Sequence, residues 1–368
     1  MFWFTLILLG AASVIALQWF IGARKLPFPA ETASSLHHTP RVSIIAAARN
    51  EEKEIGAAVQ SMLDLRYPDM EVLIINDRST DGTMQELQKI KQFHRERSRL
   101  KIIDISHLPD GWLGKNHALF QGAREASGEW LLFTDADIHF RPQTLQKVIP
   151  FVHTNEVDHL ALVPENQGGT RSYRAFHSFW SIIGLWNFIQ LRHAGIGAFN
   201  LMRREAYLAS GTHEKVKAAP DDDLKLGKAI ASAGFQQQLG IGNDLISVQW
   251  YENIPQVITG LEKNLFAFMR YRVSLVLLFA VVLLCLHAAP FVLFPFYLPA
   301  LLLVLLYAAM YWYNQRFVPG SFVHFFTMPV MSLLFIYCLL RSTFLTLKRG
   351  GVVWRGTLYP LKELRRKS

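Results

Sequence analysis

One stretch shows the organisation of this chain most clearly: Trp130-Leu131-Leu132-Phe133-Thr134-Asp135-Ala136-Asp137, in which an apolar run ends in two carboxylates. The apolar run predicts a strand that is buried on both faces of a sheet. Alternate side chains of an extended chain point the same way, so Asp135 and Asp137 are expected to face one ligand. Such a pair suits a hard divalent cation that phosphate oxygens also hold. An acidic surface loop is the alternative.

Strands and helices alternate before this stretch. Apolar runs predict strands at Val42–Ala48, Val72–Asn76 and Lys101–Ile105, and helical spacing predicts helices at Glu51–Leu63, Thr80–Arg97 and Lys115–Ala126. This alternation indicates an α/β fold with a mainly parallel sheet that is covered on both faces. Ligands of such sheets bind beyond the carboxyl ends of the strands.

Polar residues also follow the first two predicted strands. Asp77 ends the second strand, where it is placed to accept a hydrogen bond from a nucleobase or ribose, or is only a turn residue. Ser79 or Thr80 is expected to cap the following helix. After the first strand, Glu51 is expected to line the nucleotide pocket, and Glu52 to be an acid in the first turn of a helix.

A second acidic cluster, Asp221-Asp222-Asp223, precedes the helical stretch Leu224–Ala233. Adjacent carboxylates repel one another, and that repulsion raises the pKa of at least one of them. A carboxylate at a helix start beside an acceptor hydroxyl is a candidate general base. Helix capping is the alternative, and the two roles are compatible because Asp221 can cap while Asp223 acts.

Apolar segments flank the α/β region. Phe2–Ile21 carries no charge and is about long enough to span a bilayer, and Arg24 and Lys25 follow it. The positive-inside rule predicts an uncleaved anchor with its amino terminus outside, and a cleaved signal peptide is the alternative. Further apolar runs cover Val273–His287, Phe291–Trp312 and Phe322–Leu340, and they predict two or three spans. The basic tail after Lys348 is expected in the cytoplasm, which requires an even number of crossings after the α/β region.

Two amphiphilic stretches lie next to these segments. Tyr173–Arg192 is rich in aromatic residues, including Trp180 and Trp186, and is predicted to be a helix that either faces a membrane interface, which we favour, or lies in a core. Ile258–Arg272 has apolar residues at helical spacing and a basic side, which predicts a helix on the membrane surface.

The distribution of charge separates a membrane from nucleic acid as a partner. Residues 32–261 contain 24 basic and 26 acidic side chains, so the α/β region is close to neutral, whereas residues 348–368 contain seven basic and one acidic. The basic residues therefore border the apolar segments, which favours an anionic lipid bilayer and argues against nucleic acid. The two cysteines, Cys285 and Cys338, exclude a disulfide scaffold.

Several blocks of the chain resemble family 2 glycosyltransferases. They are Val42–Glu52, the opening strand; Asp77 with Ser79 and Asp81, the nucleotide-binding motif; Gly111–Ala118, the Gly-Trp-x-Gly-Lys block of the lipid-directed branch; Asp135-Ala136-Asp137, the metal motif; Gly197–Tyr207, the acceptor-side block; Asp222-Asp223-x-x-Leu226; and Val353–Tyr359, the terminal motif of membrane-bound members. The resemblance extends from about Arg41 to Tyr359. The most similar subgroup is the hopanoid- and carotenoid-associated glycosyltransferases.

This resemblance implies a GT-A fold, that is, a Rossmann-like catalytic domain flanked by transmembrane helices. It also implies a nucleotide-sugar donor, a UDP-sugar being favoured, a Mg²⁺ or Mn²⁺ ion, and inversion at the anomeric carbon. Carried over by motif, it assigns nucleoside binding to Asp77, nucleotide and metal binding to Asp135, direct metal ligation to Asp137, and the acceptor base to Asp223 with Asp222 beside it. The remaining candidates are Glu51 and Lys115 on the donor side and Arg203, Arg204, Trp180 and Trp186 on the acceptor side.

Departures from the family pattern refine the expected activity. Asp222 stands where the family has Glu, and the Gln-x-x-Arg-Trp motif of processive synthases is absent, since the nearest stretch is Ala267-Phe268-Met269-Arg270-Tyr271. The first departure shortens the side chain beside the candidate base. The second argues against a processive polymerase and favours transfer of a single sugar to a membrane lipid. The alternatives are transfer to polyprenyl phosphate and a catalytically inactive membrane scaffold. A transporter is disfavoured because residues 41–252 contain no membrane-length apolar run.

The expected organisation has six parts. They are an anchor at 1–23, a linker at 24–40, a GT-A domain at 41–252, an interfacial helix at 253–272, membrane segments at 273–345 and a basic tail at 346–368. The protein is expected to cross a bacterial cell membrane several times, with the catalytic domain and the tail in the cytoplasm.

Overall fold

A computed structural model describes residues 2–32, 39–191, 193–262, 264–354 and 357–367 of the chain. The chain divides into two compact units. An α/β unit contains residues 25–167 and 190–248, and a helical unit contains residues 1–24, 168–189 and 249–368. The α/β unit is therefore built from two separate pieces of chain.

The strands and helices follow one another in a regular alternation over the first half of the chain. The strands are β1 Val42–Ala48, β2 Met70–Asp77, β3 Leu100–Ile105, β4 Trp130–Asp135, β5 His139–Phe140, β6 His159–Val163, β7 Glu165–Asn166, β8 Asn200–Arg203, β9 Gln237–Ile241, β10 Ile246–Val248, β11 Gly351–Trp354 and β12 Thr357–Pro360. The helices are α1 Phe2–Arg24, α2 Ile55–Leu63, α3 Thr83–Phe93, α4 Gly114–Glu125, α5 Thr144–Thr154, α6 Arg171–Leu191, α7 Arg204–Ala209, α8 Asp222–Ser232, α9 Ile254–Leu261, α10 Leu265–Phe268, α11 Val273–Leu283, α12 Ala289–Leu293, α13 Leu298–Asn314, α14 Met328–Arg349 and α15 Leu361–Lys367.

A seven-stranded sheet in the order β3-β2-β1-β4-β8-β6-β9 forms the centre of the α/β unit. The strands β3, β2, β1 and β4 are mutually parallel, as the alternation of strands and helices predicts. Their residues alternate between two buried clusters, with Ile44 packing on one face of the sheet and Ile45 on the other. The apolar character of these strands follows from this burial on both faces.

The strand β8 runs antiparallel to both of its neighbours, β4 and β6. Its first residue, Asn200, pairs with Phe133 near the end of β4, and its last residue, Arg203, pairs with Trp130 at the start of β4. The carboxyl ends of β1, β2 and β4 and the amino end of β8 therefore share one edge of the sheet. Asp77, Asp135 and Asn200 lie along this edge.

The helical unit contains helices that are long and apolar enough to cross a membrane. Within the described residues these are Leu6–Glu31, Val273–Leu293 and Ser321–Arg349, and a shorter apolar helix covers Leu298–Asn314. One face of α1 packs inside the unit, where the Trp19 ring lies edge-on to Tyr313 at 5.8 Å and its Nε1 donates to the Ile182 carbonyl at 3.1 Å.

Three expectations about these regions need correction. The single helix predicted over Ile258–Arg272 is divided into α9 and α10, and it ends early because Arg270 and Tyr271 adopt left-handed backbone conformations. The amino-terminal half of α6 is not lipid-facing, because Phe179 is buried with its ring 6.2 Å from that of Phe335. Residues 168–189 also leave the predicted GT-A domain 41–252 and belong to the helical unit.

The expected linker is partly structured. Residues 25–32 belong to the α/β unit, where the Pro27 carbonyl accepts the N–H of Ile241 at 2.9 Å and the Thr32 carbonyl accepts Lys147 Nζ at 2.8 Å. Residues 33–38, Arg192, Lys263, and Arg355 and Gly356 of the terminal motif lie outside the described residues.

Candidate functional site

The loops after β1 and β2 are joined by hydrogen bonds at the shared edge of the sheet. The Asn50 N–H donates to Ser79 Oγ at 3.0 Å, and Asn50 Oδ1 accepts the Thr80 N–H at 2.8 Å. The Glu51 N–H donates to Thr83 Oγ1 at 2.9 Å. These contacts hold the two loops in one arrangement, and Asn50 adopts a left-handed conformation (φ 57°) to make them.

The same contacts correct the predicted helix caps. The helix α3 begins at Thr83, and its capping carboxylate is Asp81, whose Oδ1 accepts the Thr83 N–H at 3.0 Å. Ser79 and Thr80 instead bind Asn50. The Glu52 carboxylate accepts the N–H of Gly82 at 3.1 Å, so it lies at the start of α3 and not in the first turn of its own helix.

Asp77 is buried at the end of β2 and forms a two-point ion pair with the next residue. Arg78 Nε lies 2.7 Å from Asp77 Oδ1, and Nη2 lies 3.1 Å from Oδ2. Arg78 adopts φ 55°, a left-handed conformation that turns its side chain back onto Asp77. A Cβ on Gly114, the first residue of α4, would lie 2.3 Å from Asp77 Oδ2, so only glycine leaves room for the carboxylate.

Lys115 and Asp135 form the closest ion pair of the site. Lys115 Nζ, in the first turn of α4, donates to Asp135 Oδ1 at 2.5 Å. Burial lowers the pKa of Lys115, but nearby carboxylates, Asp135 first among them, outweigh it and hold that pKa above its usual value. A Cβ on Gly197 would lie 2.7 Å from Asp135 Oδ2 and 3.1 Å from Lys115 Nζ, so this glycine makes space for the pair.

Asp137 is the second carboxylate of the pair predicted from the sequence. Burial raises its pKa, and the negative charge of Asp135 raises it further. A divalent cation would stabilise the ionised form of Asp137 beside Asp135, so the two carboxylates are a suitable donor set. Among the described residues there is no group of three or more His, Cys, Asp or Glu side chains that would hold a metal by itself. The set therefore fits a cation that also takes oxygen ligands from a bound diphosphate.

Asp222 and Asp223 occupy the first turn of α8. Burial raises the pKa of Asp222 to about 7, against the effect of Lys115. Burial also raises the pKa of Asp223, which the Lys115 charge and the N–H groups of Leu224 and Gly197 oppose. Both carboxylates therefore share the environment of Lys115, and they line one small cavity with Lys115, Thr134, Asn200 and His213.

Arg203 and Arg204 do not lie with these residues. Because β8 is antiparallel to β4, its last residue Arg203 lies at the opposite edge of the sheet, about 15 Å or more from Asp135 along the strand. Arg203 Nε lies 3.0 Å from Asp158 Oδ1, and Arg204 Nη2 donates to the Ala126 carbonyl at 2.7 Å. The structure therefore does not bring Arg203 and Arg204 together with Asp135, and their acceptor role stays a prediction.

Trp180 and Trp186 lie on α6 in the helical unit. The Trp180 ring stacks on Phe176 at 6.3 Å and contacts Phe335 at 5.2 Å. Both tryptophans are half-buried. Their predicted acceptor role stays a prediction.

The sequence analysis assigned no separate role to four residues that lie in or beside this cluster. They are Arg78, Gly114, Gly195 and His213, of which Gly114 was included only within the Gly111–Ala118 block. A Cβ on Gly195 would overlap the Asp223 carbonyl, so this glycine lets the loop before β8 approach α8. His213 is buried below the cluster, where Tyr207 Oη lies 2.9 Å from its Nδ1. The glycine spacing in Gly195-Ile196-Gly197 was the available signal for this close approach.

The chain is similar in sequence to known glycosyltransferases. Residues 43–209 match the family described as Glycosyl transferase family 2. The protein named 4,4'-diaponeurosporenoate glycosyltransferase from Staphylococcus aureus strain USA300 is 27% identical over 222 residues, which are 57% of this chain and 56% of that protein. The protein of the same name from the bovine strain RF122 is 26% identical over 254 residues, 65% and 64% of the two chains. The matches span less than two thirds of these relatives.

A solved structure shares the fold. The mannosyltransferase PcManGT from Pyrobaculum calidifontis, solved in complex with GDP-Man and Mn²⁺, is 19% identical. The similarity covers 92% of this chain and 97% of that one, with a TM-score of 0.58. The expected GT-A fold, with a mainly parallel Rossmann-like sheet, is thereby confirmed.

Proposed function

We propose that the protein is a membrane-bound inverting glycosyltransferase that moves a single sugar from a nucleotide-sugar to a lipid acceptor. The match of residues 43–209 to Glycosyl transferase family 2 supports the transferase part of this proposal. One observation carries the proposal. Lys115 contacts the donor-side Asp135, and it lines one small cavity with Asp222 and Asp223. This arrangement supports a nucleotide-sugar site beside a candidate base.

The donor side is proposed to bind a nucleoside diphosphate sugar, with a UDP-sugar favoured. Asp77 would accept hydrogen bonds from the nucleoside, and Glu51 lies in the adjoining loop. Asp135 and Asp137 would hold Mg²⁺ or Mn²⁺ together with the diphosphate. When bound, such an ion neutralises the negative charge that develops on the leaving diphosphate.

Asp223 is the proposed general base, and Asp222 supports it. Asp223 is the less buried of the two, and the Leu224 N–H fixes its Oδ1 at 2.8 Å. Asp222 is 5% exposed and has a pKa near neutrality, so it adds little negative charge beside the base. Asp223 would take the proton of the acceptor hydroxyl as the oxygen attacks the anomeric carbon from the face opposite the diphosphate, which gives inversion.

The apolar helices support a lipid acceptor such as a hopanoid, a carotenoid or another glycolipid precursor. The relatives named for transfer to diaponeurosporenoate favour the same class. With α1, Val273–Leu293 and Ser321–Arg349 as spans, the carboxyl-terminal part crosses an even number of times. The basic tail and the catalytic domain then share the cytoplasmic side of a bacterial cell membrane, and the basic residues face anionic lipid.

A nucleotide-release assay tests this proposal. Membranes that contain the protein are incubated with Mn²⁺, a panel of UDP- and GDP-sugars and a total lipid extract. We expect lipid-dependent release of one nucleotide, lost in Asp137→Ala and reduced by about 10²- to 10⁴-fold in Asp223→Asn. Release with no dependence on lipid or on Asp137 would contradict the proposal.

The same assay separates the alternatives. Polyprenyl phosphate is an anionic acceptor that scarcely needs a base, so Asp223→Asn would keep much of its activity with that lipid. An inactive scaffold would bind no nucleotide-sugar, and its properties would not change in Asp137→Ala. A single panel of variants therefore distinguishes the three functions.

A further inference from the structure

The Lys115 ammonium is bound to one oxygen of Asp135, a carboxylate that is proposed to hold the cation. Lys115 Nζ lies 2.5 Å from Asp135 Oδ1, a hydrogen-bonding distance that leaves no room for an ion between the two groups. Gly197 leaves space for this contact, since a side chain there would collide with both groups. The pair therefore joins the start of α4 to the end of β4, and the loop before β8 leaves space for it.

The charge around this pair is strongly unbalanced. Asp222 and Asp223 line one small cavity with Lys115, and Asp137 follows Asp135 by two residues. More carboxylates than cations thus lie around the pair, which leaves an excess of negative charge there. A dication would be attracted to this excess, but at Asp135 it meets the positive charge of Lys115 first.

We propose that Lys115 is a placeholder cation that keeps free Mg²⁺ or Mn²⁺ off Asp135 and releases this carboxylate only when the metal arrives with the donor diphosphate. The diphosphate supplies negative charge that can bind the ammonium in place of Asp135, and Asp223 on α8, which lines one cavity with Lys115, offers a second anionic partner. The metal and the donor would then bind with positive coupling, and neither would occupy the site efficiently alone. This proposal rests on the proposed nucleotide-sugar site and deepens it by adding an order of binding.

Measurement of Mn²⁺ binding by electron paramagnetic resonance tests the proposal without measuring activity. The full chain in detergent is titrated with Mn²⁺ alone, and then with Mn²⁺ in the presence of UDP or GDP. We expect Lys115→Met to bind Mn²⁺ alone about tenfold or more tightly than the unchanged protein, because one repelling charge at contact distance is removed. The tightening of Mn²⁺ binding by nucleoside diphosphate should shrink by a similar factor.

Two controls keep the result specific to the charge of Lys115. Lys115→Arg keeps a cation at the site and should bind Mn²⁺ alone as weakly as the unchanged protein. Lys225→Met removes a lysine from a different ion pair, in which Lys225 Nζ lies 3.1 Å from Asp221 Oδ1. Neither residue lines the cavity beside Lys115, so this variant should also leave Mn²⁺ binding unchanged. If Lys115→Arg tightened binding as Lys115→Met does, the side-chain volume and not the charge would be responsible.

Mn²⁺ binding and sugar transfer, measured separately, distinguish the placeholder role of Lys115 from the proposed glycosyltransferase activity. Equal affinity of the unchanged protein and Lys115→Met for Mn²⁺ alone, within about twofold, overturns the placeholder role even where sugar transfer proceeds. Absence of Mn²⁺ binding in both proteins, with and without nucleotide, overturns it as well. If Mn²⁺ and nucleotide binding were coupled but no sugar were transferred, the placeholder role of Lys115 would stand and the proposed glycosyltransferase activity would be refuted.

Discussion

Gly114 provides a sharp test of whether Asp77 holds the donor nucleoside. Replacement by alanine would place a Cβ 2.3 Å from Asp77 Oδ2 and 2.8 Å from Arg78 Nη2. To reach an ordinary contact of 3.4 Å, the carboxylate oxygen must retreat by about 1 Å. That movement takes it away from the two-point pair with Arg78, whose bonds measure 2.7 and 3.1 Å.

The stability of the variant should hardly change. Gly114 lies in the first turn of a helix without a left-handed conformation, and alanine in a helix gains about 0.5–1 kcal/mol over glycine. This gain offsets part of the cost of moving Asp77. Donor affinity, in contrast, should fall by about 10-fold or more, because a displaced carboxylate forfeits a charged hydrogen bond worth about 1.5–3 kcal/mol.

Isothermal titration with UDP and GDP, together with a thermal melt, measures both quantities. Gly56→Ala is the matched control, since Gly56 is also in a first helical turn and its nearest neighbour to an added Cβ is 3.9 Å away. That variant should be stabilised by about 0.5–1 kcal/mol with unchanged nucleotide affinity. Unchanged nucleotide affinity in folded Gly114→Ala would refute the assignment of Asp77 to the nucleoside.

Two further predictions concern stability. Burial lowers the pKa of His159 to about 4 and of His213 to about 3, from about 6.5 when unfolded, so the folded protein resists protonation. The stabilisation from each neutral histidine should be complete above about pH 6.5, and the free energy of unfolding should fall by about 2 kcal/mol for each histidine by pH 5. In His159→Asn the melting temperature should therefore depend less on pH over this range. An unchanged pH dependence of the melting temperature would contradict the assignment of this effect to His159. Arg203→Ala should lower stability by about 1–3 kcal/mol through loss of the Asp158 pair while leaving nucleotide affinity unchanged, and weaker nucleotide binding would return Arg203 to the active site.

The sequence predicted the strands correctly where an apolar run coincides with a strand that is buried on both faces of the sheet. The strand Val42–Ala48 was predicted to the residue, and β2, β3 and β4 were correct within two residues. The helix predicted from Glu51 begins at Ile55, and the N–H of Glu51 donates to Thr83 Oγ1 at the start of α3, 32 residues along the chain. Such a long-range contact leaves no trace in the local periodicity.

The sequence named the carboxylates and the Lys115 ammonium that the structure brings together, but it gave neither the position of Arg203 nor the contact of Arg78 with Asp77. Asp77 and Asp135 could be found because they follow buried strands of a parallel sheet, whose carboxyl ends must coincide. The position of Arg203 was not predicted because the direction of β8 is decided by pairing, which a strand of four residues does not encode. Arg78 was overlooked because its role depends on a left-handed conformation at a residue that is not glycine.

The insertion of α6 between the two pieces of the α/β unit has a consequence for biogenesis. Its buried aromatic residues pack on α14, which begins roughly 140 residues later in the chain. At about 5–20 residues per second, a ribosome needs roughly 7–30 s to cover that distance. During this interval α6 has been synthesised without its partner, and its aromatic side chains require shelter from a bilayer or a chaperone. Nascent chains stalled before Met328 should therefore be the most prone to aggregation and proteolysis.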